Sequence, residues 1–71
     1  MTYEKLRLLA RAVPFHPFTV RLPSGKELAV PNPDVVAFSP NGRLMVVLRD
    51  DGSQDTLDVM LIESVQEQLS A

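Results

Sequence analysis

Arg43-Leu44-Met45-Val46-Val47-Leu48-Arg49 is a run of five apolar residues closed at each end by an arginine, with Asn41-Gly42 before it and Asp50-Asp51-Gly52 after it. An apolar run this short, bounded on both sides by turn chemistry, reads as a strand and is too short for a helix. Alternation puts Leu44, Val46 and Leu48 on one face and Met45 and Val47, flanked by the two arginines, on the other. With both faces apolar, the strand is expected at the centre of a sheet with cover on each side.

The neighbouring turns extend this reading in both directions. The chain has three glycines, Gly25, Gly42 and Gly52, and each falls in a polar turn sequence between two strand-like segments. Glycine there supplies the left-handed dihedral of a tight hairpin. Strands are therefore expected over Phe18–Leu22, Glu27–Pro31, Val35–Ser39, Arg43–Arg49 and Gln54–Asp58. A 3₁₀-type turn follows at Val59–Leu61, then a closing strand over Ile62–Gln66. Pro31-Asn32-Pro33 stops the second strand, because two of its residues lack a main-chain donor.

Before the strands, Thr2 is an N-cap, Glu4 lies in the first turn, and Arg7 and Arg11 come later, the order that the helix dipole favours. A helix is expected over about residues 2–12, with Tyr3, Leu6, Leu9, Ala10 and Val13 as one buried stripe. Pro14-Phe15-His16-Pro17 ends it as a stiff extended connector over residues 13–17. The β segment runs over about 18–66, and residues 67–71 are expected to fray. The fold class is thus mainly β (α+β): an N-terminal helix and a five- or six-stranded antiparallel meander, in a single small domain spanning 1–71.

Composition limits the function. At 71 residues, with 45% apolar and 23% charged side chains, the chain is of globular type but near the lower size limit for folding alone. It has no cysteine, hence no disulfide and no thiolate chemistry. No segment approaches the roughly 18 apolar residues of a membrane span or the pattern of a signal peptide, so a cytoplasmic protein with no membrane partner is expected. The net charge of −2 argues against a dedicated nucleic-acid binder. The charge is unevenly spread: all seven bases precede position 50, whereas Asp50, Asp51, Asp55, Asp58, Glu63 and Glu67 follow it.

No catalytic constellation emerges. His16 stands alone, and the acids of 50–58 miss the spacing of a calcium loop and suit hairpin turns instead. No enzyme activity, cofactor, metal or small-molecule substrate is expected. The remaining candidate is the Met45 and Val47 face rimmed by Arg43 and Arg49, an apolar centre with guanidinium groups around it, as at protein contacts. That reading implies a homo-oligomer, a dimer before a ring, with another bacterial protein as a further partner. The alternative is a single-stranded RNA site built from Arg21, Arg43 and Arg49, with Tyr3, Phe15, Phe18 or Phe38 stacking on bases.

A helix followed by short antiparallel strands with a turn before the last one resembles the small barrels of SH3-like and Sm-like domains. The resemblance implies a curled, barrel-like sheet and, on the Sm side, the RNA alternative. Pro14-Phe15-His16-Pro17-Phe18, Ser24-Gly25-Lys26, Val30-Pro31-Asn32-Pro33, Gly42-Arg43 and the closing Leu61-Ile62-Glu63-Ser64-Val65 are similar to a group of short uncharacterised bacterial proteins. That likeness covers about residues 5–66 and implies a free-standing bacterial domain, with no site attached.

Overall fold

The Asn41-Gly42 turn sets the register of the second half of the molecule. In the computed structural model, which describes residues 2–68, Gly42 N–H donates to Ser39 C=O at 2.9 Å, and Asn41 Oδ1 accepts from Arg43 N–H at 3.0 Å. Gly42 has φ +73°, which glycine adopts without strain. This turn joins β3 (Val36–Phe38) to β4 (Leu44–Leu48), and Asp50 to Ser53 joins β4 to β5 (Gln54–Asp58). The three form one antiparallel sheet in the order β3-β4-β5. β1 (Phe18–Arg21), β2 (Glu27–Val30) and β6 (Ser64–Glu67) form the other, in the order β2-β1-β6.

The architecture is one short helix and six strands in two three-stranded antiparallel sheets. The expected barrel is not closed. β2 and β3 do not pair, because Pro31-Asn32-Pro33 and the 3₁₀ turn Pro33–Val35 separate them. Asn32 caps that turn, its Oδ1 accepting from Asp34 N–H at 2.9 Å. The meander therefore holds within β1-β2 and within β3-β4-β5, and β6 returns to the free side of β1.

Helix α1 (Tyr3–Ala10) is capped by Thr2, whose Oγ1 accepts from Lys5 N–H at 3.4 Å. Leu6 and Ala10 are buried and Tyr3 and Leu9 half-buried, as the stripe requires. Val13 departs from it and is 96% exposed. The helix stops at Ala10, so the helical phase that would have carried Val13 inward is lost. Phe15 and Phe18 sit 6.0 Å apart between ring centroids, and Phe18 is buried.

The core lies between the sheets and α1, built from Leu6, Phe18, Val20, Val30, Met45, Val59 and their neighbours. β4 contributes only one face to it. Met45 and Val47 are 0% and 2% exposed, whereas Leu44 and Leu48 are 44% and 46% exposed and Val46 is half-buried. This corrects the expectation of cover on both faces and of a free Met45 and Val47 face. The cause is the cross-strand company: Met45 stands between Phe38 and Leu57, while Val46 stands between Ala37 and Thr56, and Leu44 and Leu48 face Asp58 and Gln54. One small core takes the face whose neighbours are also apolar.

The chain end follows the expected course with a shifted boundary. The 3₁₀ turn spans Val59–Leu61, held by Asp58 Oδ1 accepting from Met60 N–H at 2.9 Å. Ile62 is buried, and β6 starts at Ser64 and reaches Glu67, into the stretch expected to fray. Gln68 N–H still donates to Pro17 C=O at 2.7 Å. Residues 69–71, the rest of that stretch, lie outside the described residues.

Candidate functional site

The four residues of the expected interface go to different places. Met45 and Val47 are core, so they present no surface to a partner. Arg49, with its side chain 45% exposed, is committed to a partner in its own chain: its guanidinium donates to Asp55 Oδ2, from Nε at 2.8 Å, and Lys26 Nζ lies 3.2 Å from Asp55 Oδ1. Asp55 thus ties the β1–β2 hairpin of one sheet to β4 and β5 of the other, with its side chain only 12% exposed. The hydrogen bond from Arg49, chiefly, holds the Asp55 carboxyl below the usual carboxylate range. Arg43 alone of the four is an exposed, uncommitted side chain, with no ion pair among the described residues.

The three arginines of the RNA alternative do not converge. Arg21 lies in the first sheet beside Glu63, at 3.6 Å. Arg43 and Arg49 flank opposite ends of β4, about 20 Å apart at a strand's rise per residue. The rings have other partners too: Tyr3 meets Phe38 edge to face at 5.2 Å, and Phe15 leans on Phe18.

The acids of the β4–β5 region also separate into distinct local roles. Asp51 accepts from Ser53 N–H at 2.9 Å and from Ser53 Oγ at 2.6 Å, which holds its carboxyl below the usual range. Asp58 caps the 3₁₀ turn, and Asp55 takes Arg49 and Lys26. Among the described residues no three His, Cys, Asp or Glu side chains gather at metal-ligand spacing. None of the described helices is long and apolar enough to cross a membrane.

What the fold leaves open is the outer face of β3-β4-β5. Leu44, Val46 and Leu48 form its central row, with Ala37 on one side and Thr56 on the other. Met60 and Leu61, 75% and 62% exposed, stand near its Leu44 end, because Val59 N–H donates to Arg43 C=O at 2.8 Å. Arg43 adjoins the same end. The alternation of β4 carries the signal for this surface, but the exposed face is that of Leu44, Val46 and Leu48 and not the expected one of Met45 and Val47.

Compared with protein-family models, curated proteins and solved structures, the chain has no significant match.

Proposed function

We propose that this chain is a small non-catalytic assembly module of SH3-like architecture that self-associates, as a symmetric dimer, through the outer face of β3-β4-β5. The observation that carries the reading is the row Leu44, Val46 and Leu48, three large apolar residues on one sheet face with two of them nearly half exposed. Contiguous apolar surface rimmed by polar groups marks contact sites. The rim here has both signs, with Arg43 at one end and Asp58 on the neighbouring strand, which suits a two-fold contact in which each copy offers both charges. The SH3-like description is supported by the 3₁₀ turn before the last strand and by the return of that strand to β1.

A standard interface takes about 800 Å² from each partner. That is a large share of a molecule whose whole surface is 4992 Å², so the contact belongs to the small, concentration-dependent class. Sedimentation equilibrium of the parent and of Leu48→Lys tests it. The parent's mean mass rises with concentration above 7.9 kDa. Leu48→Lys stays monomeric while keeping its far-ultraviolet spectrum. Equal behaviour of the two would refute the assignment.

A further inference from the structure

β3 is an edge strand, and its free side is turned toward α1. Ser39 N–H donates to Leu44 C=O at 2.9 Å, which makes that a hydrogen-bonded pair of the β3–β4 ladder. Such pairs alternate with non-bonded ones in an antiparallel ladder, so Ala37 turns its main chain to β4 while Val36 and Phe38 turn theirs away. Among the described residues no other segment takes up the Phe38 N–H and C=O or the Val36 C=O. An edge of this kind is a template for one more strand.

The space beside it has the matching size. A groove of about 790 Å³ runs between Val36 to Phe38 on one side and Tyr3 with Ala10 to Val13 on the other. At a strand's rise of about 3.3 Å, a spacing of about 4.8 Å and a depth of about 10 Å, that volume holds about five residues. Tyr3, Ala10 and Phe38 form an apolar floor, and Val13 stands 96% exposed beside them. The groove's one charged side chain is Arg11, exposed and without an ion pair among the described residues. Asp34, the acid nearest in sequence to β3, lines a different hollow with Val46 and Leu48.

We propose that this groove is a strand-addition site for an extended peptide of alternating apolar and acidic residues. Main-chain bonds to Val36 and Phe38 fix the peptide as a strand, its inward side chains meet the apolar floor, and a carboxylate meets Arg11. Alternate side chains of a strand point to opposite faces, which is why the apolar and acidic residues alternate. The site shares Ala37 with the self-association face but uses the free edge of β3, and it does not depend on self-association.

The test is an amide-shift titration of the full chain with a capped five-residue peptide of alternating glutamate and valine. The expected result is saturable shifts centred on residues 36–38 and 11–13, with a dissociation constant below about 1 mM. A lysine and valine peptide should bind at least about tenfold more weakly, and Arg11→Glu should reverse that preference with the spectrum otherwise kept. N-methylating the valines, which removes main-chain donors, should abolish binding. Shifts centred on Leu44, Val46 and Leu48, indifference to N-methylation, or no saturation by about 5 mM would each overturn the proposal. A Phe38 amide already protected from exchange in a dimer, without peptide, would assign the edge to a second copy and overturn it as well.

Discussion

Gly42 is where the backbone and the packing of α1 meet, so its replacement separates two energies. Its φ of +73° alone makes any other residue strained, at about 1 kcal/mol for alanine. A Cβ built there would also stand 2.8 Å from Tyr3 Cγ and 2.9 Å from Tyr3 Cδ2. The Tyr3 ring must move, and with it the edge-to-face contact with Phe38, worth about 0.5–1.5 kcal/mol. Gly25 and Gly52 have φ +92° and +89° with nothing near the added Cβ, so alanine there meets only the dihedral cost. Gly42→Ala should therefore lose about 2 kcal/mol and Gly25→Ala about 1 kcal/mol. In urea, with a slope of about 1 kcal/mol per molar for a domain this small, the midpoints should differ by about 1 M at equal protein concentration. Coincident midpoints for Gly42→Ala and Gly25→Ala would refute the contact of the turn with α1.

Met45→Ala should cost about 2–4 kcal/mol and Leu48→Ala less than about 1 kcal/mol, read from thermal or urea midpoints, since only the first empties a core position. Asp55 has its pKa depressed in the folded state, so its stabilising effect is present above the unfolded value of about 3.9 and is lost as pH falls through the lower folded value. Melting temperature should drop steeply on that acid limb, and Asp55→Asn should flatten it while lowering stability near neutral pH. Binding to poly-U at physiological salt should be weaker than about 10 μM, because Arg21 and Arg49 are paired with acids and Arg43 stands apart; tight, salt-sensitive binding lost in Arg43→Glu would restore the RNA reading.

Local chemistry made much of this fold legible. The three glycines mark three hairpin turns with positive φ, Thr2 caps α1, and Val59–Leu61 is a 3₁₀ turn between two strands. What local pattern leaves undecided is which face of a doubly apolar strand goes inside. Leu44 to Leu48 offers both faces, and the choice rests on Phe38 and Leu57, which become neighbours of Met45 only once the register exists. The Arg49, Asp55 and Lys26 cluster is of the same kind, since Lys26 and Asp55 are 29 residues apart. Val13 shows a third limit: helical spacing marks a stripe but not where the helix ends. In the proposed interface, Leu44, Val46 and Leu48 take the place of the buried Met45 and Val47 beside Arg43.

Self-association is tested most directly by the mass of the molecule in solution. Sedimentation equilibrium from about 10 to about 500 μM should give a mean mass that climbs from 7.9 kDa toward twice that value, a concentration range in which a small interface of this class becomes populated. A mass fixed at 7.9 kDa throughout would contradict the assignment of the β3-β4-β5 face as a dimer contact.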